Sequence, residues 1–371
     1  MAVKVPMREV LFGAAHLERG RLLWWSGART GIVSALLVLA FVLGGHAELA
    51  TGAAIGAIFV AIADAGETLG RRWRTMLWAT AWLMFATFVG GISGDWALLG
   101  LILTLPIAFF CGFAGAAGPR PAVVGLVTLV IFVIFEGAPE SRAGILASTL
   151  VVGLGGIVIT AVTVVPHLFR WGAFKAALEP MPSVWERVRG NWDLDDNFLR
   201  HGIRLAIMVT IAVAISDLTE YPHDYWLPMT VAWVTKPDAS GTATRIASRL
   251  AGTIAGILVT SLFVNVLSVN DAGVAVLVGS AAAVTVTFIF ANYAVAVMGI
   301  TTVVIGLFSF DGDPVGETIV LRAILTISAA VLAMLGFVIW PSHRRVAHEH
   351  AHGLAHPNSR AVVPGEGPTA G

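Results

Sequence analysis

The stretch Ala272–Phe310, AGVAVLVGSAAAVTVTFIFANYAVAVMGITTVVIGLFSF, contains no charged side chain. As one helix rising about 1.5 Å per residue it would be ~58 Å long, nearly twice the ~30 Å of hydrocarbon in a bilayer. It must fold back on itself, and the turn is expected around Ala291–Asn292. The rest of the chain points to the same solvent. Of its 371 residues 57% are apolar and 12% charged, with a mean hydropathy of +0.83, whereas a soluble domain carries about 25% charge. The 23 basic and 23 acidic residues cancel, which leaves no concentrated basic surface for nucleic acid. A single cysteine, Cys111, forbids an internal disulfide and a Cys-based zinc site.

Applied outward from that stretch, the same length criterion finds apolar runs near 30–44, 49–63, 75–94, 96–113, 121–135 and 143–165. A second series follows near 203–217, 221–235, 250–269, 272–290, 292–310 and 322–340. The expectation is an all-α integral membrane protein with about twelve transmembrane helices. Lys4, Arg8, Arg19 and Arg21 precede the first run, and no convincing small-residue cleavage site follows it, so an uncleaved first span is expected. Basic residues in short loops favour the cytoplasmic side. With both termini inside, 21 of the 23 basic residues fall there and only Arg142 and Arg322 fall outside. A bacterial inner membrane, crossed many times with both termini cytoplasmic, is the expected location.

Sliding the chain against itself by about 175 positions superposes Gly27-Ala28-Arg29 on Gly202-Ile203-Arg204, Asp64 on Asp238, Thr68 on Thr242, Arg71 on Arg245 and Pro166 on Pro341. The matched positions are polar or turn residues at span ends. They suggest two parallel six-helix repeats about an axis along the membrane normal; chance self-similarity of apolar sequence is the alternative. The organisation expected is a cytoplasmic N-terminal segment over 1–25, a first repeat over 26–166, an interfacial linker over 167–200, a second repeat over 201–341 and a disordered cytoplasmic tail over 342–371. Within the linker, Leu168, Trp171, Phe174 and Leu178 recur at helical spacing beside Arg170 and Lys175, the pattern of a helix lying in the interface plane.

Short spans interrupted by Gly or Pro at matching places in two halves mark substrate sites in repeat-built transporters. Leu49–Ala63, with Gly52 and Gly56, and Tyr221–Thr235, with Pro228, form such a pair. Pro228 should bend or break its helix; a tilted crossing or a locally thinned bilayer is the alternative. After the second of them, Pro237 ends the span, and Asp238 can accept backbone donors at the turn or pair with Arg245 or Arg249. Gly252 and Gly256 make a small-residue stripe for close helix approach. Arg245 and Arg249 either only set topology or attract anions at the inner mouth. Arg29 and Arg204 open the first helix of each half at the inner edge, and Arg142 and Arg322 the last helix at the outer edge. They either snorkel to headgroups or form positive rings for an organic anion. Tyr225 and Trp226 read as an interfacial aromatic belt or as a stacking surface for an aromatic substrate.

No carboxylate or histidine stands in the middle of a span; Asp217, Asp224, His223, His201 and Asp238 lie near the faces. His348, His350, His352 and His356 of the tail are expected to be a polar tail rather than a metal site. No phosphate-cradling Gly-rich loop is present, and no nucleophile–base pair appears within the spans. Neither an enzyme nor a cofactor is expected.

His201-Gly202-Ile203-Arg204, Tyr225-Trp226, Pro237-Asp238, Thr242, Arg245, Arg249, Gly252-Thr253, Gly256 and Trp340-Pro341 together resemble the fusaric-acid-resistance (FUSC) membrane domain. The first half resembles it more distantly, through Arg29, Asp64, Thr68 and the arginine cluster. That domain occurs in aromatic acid exporters and is related to plant aluminium-activated malate channels. The resemblance implies efflux or permeation of organic anions, aromatic carboxylates in particular. The leading expectation is a secondary exporter of small organic anions, with Arg29, Arg204, Arg245, Arg249 and Arg322 attracting substrate, Tyr225 and Trp226 lining the route and Asp238 holding the inner turn. A passive anion channel and a non-transporting membrane scaffold are the alternatives, and a homo-oligomer stays open.

Overall fold

The computed structural model describes residues 7–64, 69–138, 140–168, 183–219, 223–267, 270–308 and 315–339, and among these residues it is entirely helical, without a strand. A short helix α1 (Met7–Ala15) precedes α2 (Trp24–Leu43), α3 (Ala47–Ala63), α4 (Leu69–Ser93), α5 (Ala97–Phe113), α6 (Pro119–Glu136) and α7 (Arg142–Leu168). After α8 (Val184–Gly190) come α9 (Asn197–Thr219), α10 (Trp226–Val234), α11 (Ala239–Leu267), α12 (Asp271–Phe288), α13 (Tyr293–Phe308) and α14 (Val315–Ile339). Each of the twelve apolar runs forms a helix. Nine helices among the described residues are long and apolar enough to cross a bilayer, which makes this a multi-pass membrane protein. Among the described residues this criterion reaches nine of the twelve expected crossings. Helices α3 and α13 are apolar but shorter, and α10, with nine residues, is only ~14 Å long.

The turn in the charge-free stretch falls where expected. Asn292 accepts from the Val295 amide at 3.1 Å and donates to the carbonyls of Ala14 and His16 at 3.3 and 3.0 Å. It caps α13 and fastens the segment after α1 to the same corner. Thr68, Trp171, Phe174 and Leu178 with Arg170 and Lys175, Tyr221, Trp340-Pro341 and the histidine tail lie outside the described residues. The linker contains a helix that hydropathy did not reveal: Ser183 and Glu186 form a reciprocal capping box at the start of α8.

In the first half α2 packs on α3 and α7, α3 on α7, α4 on α6 and α7, and α5 on α6. In the second, α9 packs on α10 and α14, α10 on α14, α11 on α13 and α14, and α12 on α13. The halves meet where α2 lies along α12 and α5 lies along α9. Lipid tails are as apolar as leucine, so these contacts depend on close packing rather than on exclusion of water. Gly27 and Gly31 of α2 lie against Ala283 and Gly279 of α12, and Gly202 of α9 lies against Phe109, Gly112 and Phe113 of α5.

Asp64, at the end of α3, is 4% exposed and forms an ion pair with Arg72, which also donates to Ser26 at 3.2 Å. Burial pushes the Asp64 carboxyl up, and Arg72 opposes that shift. Removing one partner of a buried pair strands the other. Arg72→Gln is therefore expected to destabilise by about 3 kcal/mol, and Asp64→Asn added to it should restore most of the loss in a double-mutant thermal denaturation cycle.

Candidate functional site

Helix α10 is the centre of the second half, and all nine of its residues are buried. Local chemistry sets both its ends. His223 adopts a left-handed backbone (φ 56°) just before it, and Pro228 occupies the first turn, where a missing amide costs nothing. Pro228 therefore helps start the helix and does not break it. At the other end Thr235 is extended, then Lys236 precedes Pro237, a position biased away from helix. The expected partner α3 is unbroken over 17 residues. Its Gly56 is used for contact with α7, since a Cβ there would meet the Val152 carbonyl at 2.1 Å. The matched pair of interrupted spans is thus reduced to one half-helix.

Three arginines lie over aromatic faces around α10. Arg204 stands 3.8 Å from the Phe337 centroid, Arg245 3.9 Å from Tyr293 and Arg322 4.4 Å from Trp226, all within cation–π range. Arg204 also donates to the carbonyls of Lys236 and Pro237 at 3.0 and 2.9 Å, so it braces the chain that leaves α10. Asp238 accepts from the Gly241 amide at 2.6 Å and from Ser240 at 2.8 Å; of the two roles expected for it, the turn is the one realised by hydrogen bonds. Tyr225 and Trp226 are 8% and 2% exposed, which excludes an exposed aromatic belt. The Trp226 ring stacks on His223 at 4.9 Å and also carries Arg322.

Arg249 and Arg322 were expected at opposite faces, at the inner mouth and the outer edge. The structure brings them close enough for their charges to act on each other. Arg249 lies ~15 Å along α11 and Arg322 ~10 Å along α14, two helices that pack together. Both side chains are buried, at 1% and 2% exposure, and all three nitrogens of each guanidinium lack a hydrogen-bond partner among the described residues. Arg29 belongs elsewhere: it donates to Ser26 at 3.3 Å and borders a cleft of about 460 Å³ shared with Arg72 and His167. Arg142 opens α7, and among the described residues no ion pair links it to this cluster.

Sequence reasoning missed four participants. Tyr293 and Phe337 looked like ordinary span residues, and only packing places them under arginines. Glu136, 5% exposed at the end of α6, faces Asp217 and Asp224; burial also pushes the Asp224 carboxyl up. The fourth is Lys236, whose signal was available: it is the only lysine after residue 200. Arg245 first, and burial second, draw its ammonium down to about 7, against the opposing pull of Asp238. An unfolded lysine keeps its proton to about 10.4, so between about 7 and 10.4 the unfolded chain binds more protons and stability rises with pH. Lys236→Met should flatten that rise in denaturation midpoints measured across the window.

Residues 211–336 match the family described as fusaric acid resistance protein-like. The second half is thus similar to a FUSC-family membrane domain over about a third of the chain. Tyr225, Trp226, Asp238, Arg245, Arg249 and Arg322 lie inside that match, and Arg204 lies just before it. Among curated relatives, an uncharacterised protein of Synechocystis is 30% identical over 152 residues, which are 40% of this chain and 20% of the relative. A Neisseria gonorrhoeae protein called ORF2 is 26% identical over 183 residues, 48% of this chain and 44% of its own length. The Escherichia coli inner membrane protein YccS is 27% identical over 165 residues, 43% of this chain and 22% of YccS. The matched region thus spans less than half the length of each of these relatives. No solved structure matches the chain.

Proposed function

We propose that this FUSC-family membrane protein exports small organic anions from the cytoplasm across a bacterial inner membrane, and that the anion is held between Arg249 and Arg322. The observation that carries the reading is the pair itself. A guanidinium stays charged, and taking it out of water costs several kcal/mol unless an anion completes it. Two of them within reach of each other's charge, with no acidic partner among the described residues, would draw in a carboxylate, which arginine grips with two parallel bonds. Trp226 beneath Arg322 favours aromatic carboxylates over aliphatic ones. On this reading Arg204, Phe337 and Asp238 hold the end of α10, while Arg245 and Lys236 draw the anion in from that side.

The two halves are read as repeats around this site. What supports the repeat is the matched list of packing partners, in which α2 on α12 mirrors α9 on α5, together with the glycines Gly27 and Gly202 at the two crossings. The test is counterflow of benzoate and acetate in proteoliposomes, with and without an imposed proton gradient. Saturable benzoate flux that exceeds acetate flux supports the reading. Flux that follows voltage and ignores the proton gradient would select a passive channel, and no flux of either anion would sink the proposal.

A further inference from the structure

A second cavity, with a volume of about 750 Å³, lies between α4, α5, α6 and α8, and none of its lining residues belongs to α10. Its long wall is one face of α4: Arg74, Trp78 and Trp82 succeed each other at intervals of four and descend ~12 Å along the helix. Phe110 and Cys111 of α5 and Val124 of α6 form the facing wall. Trp78 and Phe110 are 66% and 64% exposed, so the slot opens sideways toward the lipid.

The charge is confined to one end. Arg74, Arg120 at the start of α6 and Arg187 of α8 surround the mouth, and no acidic residue among the described ones lines it. Arg120 and Arg187 face each other closely enough for their charges to repel. The Nε of Arg187 is buried without a hydrogen-bond partner among the described residues. Gly118 makes that approach possible: its φ is +121°, and a Cβ there would stand 2.9 Å from an Arg187 amino group. The amino end of α6 adds its partial positive charge at the same point.

A cationic mouth at the helix ends over an apolar trench that opens to the bilayer matches one occupant in both parts. We propose that this slot binds an anionic phospholipid, its phosphate held by Arg74, Arg120 and Arg187 and an acyl chain lying along Trp78 and Trp82. A soluble anion would use the mouth and leave the trench empty; a zwitterionic lipid would fill the trench but carry an amine into three arginines.

The test uses the full chain in mild detergent, offered equal amounts of phosphatidylglycerol and phosphatidylethanolamine, with bound lipid read by native mass spectrometry. Phosphatidylglycerol should be retained at least about tenfold better, a difference of ~1.4 kcal/mol. Arg120→Gln with Arg187→Gln should erase that preference, while Arg189→Gln, on an exposed residue outside the slot, should keep it. Val124→Trp should expel the lipid by filling the trench with the arginines intact. Equal retention of the two lipids, an unchanged preference in the double variant, or displacement by millimolar inorganic phosphate would each overturn the proposal. If the double variant does not fold, the wild-type comparison and Val124→Trp decide it.

Discussion

Arg322→Met and Arg249→Met are each expected to cut anion flux by about 100-fold while leaving the unliganded protein as stable as, or more stable than, the wild type. The two halves of that result come from one cause. In the empty protein each guanidinium is buried beside a like charge, with no hydrogen-bond partner among the described residues. Methionine is unbranched like the arginine stem, fills most of that stem's space and removes the desolvation penalty, and replacing buried charges by apolar side chains is often neutral or stabilising by 1–4 kcal/mol. The anion loses a charge-assisted bidentate grip in the same step. A loss of about 2.7 kcal/mol corresponds to the 100-fold effect. Flux in proteoliposomes and thermal midpoints with and without benzoate read both quantities. Parallel loss of flux and stability would show that the arginines are structural braces, as Arg204 is.

Gly27→Leu is expected to be among the most damaging substitutions at the meeting of the halves. A Cβ on Gly27 would stand 2.0 Å from the Thr287 hydroxyl and 2.6 Å from the Ala283 carbonyl of α12. The backbone oxygen cannot rotate away, so α2 must move off α12. Overpacking of a tight contact costs about 1–3 kcal/mol, and a leucine between two close helices belongs at the upper end. Gly202→Leu, with the Phe109 carbonyl at 3.0 Å and the Phe113 Cβ at 3.1 Å, should cost less and report on the crossing of α5 and α9. Thermal denaturation in detergent ranks the two. A negligible effect at Gly27 would mean that the halves do not depend on this crossing.

Much of the fold was legible because hydropathy is a local sum. Each apolar run became a helix, and the break at Asn292 was set by length alone. The capping box at Ser183 was equally local and could have been read from the spacing of Ser183 and Glu186. Crossings were harder to count: α10 carries enough apolar residues to look like a short span, yet His223, Pro228 and Pro237 limit it to nine residues. Asp64 and Asp238, superposed by the internal offset, ended in different roles. Asp64 pairs with Arg72, while Asp238 caps α11, because a carboxylate takes whichever donors its own surroundings supply.

What the chain determined by itself is its solvent: too few charges to live in water, and apolar runs long enough to be helices in lipid. Those are properties of neighbours in sequence, summed over a window. Only the tertiary structure decided which charges are satisfied. Arg204 found the carbonyls beyond α10, whereas Arg249 and Arg322, on helices separated by two others, were buried without hydrogen-bond partners among the described residues and within reach of each other's charge. Whether a buried charge has a partner depends on what distant helices bring to it, and no reading of adjacent residues contains that information.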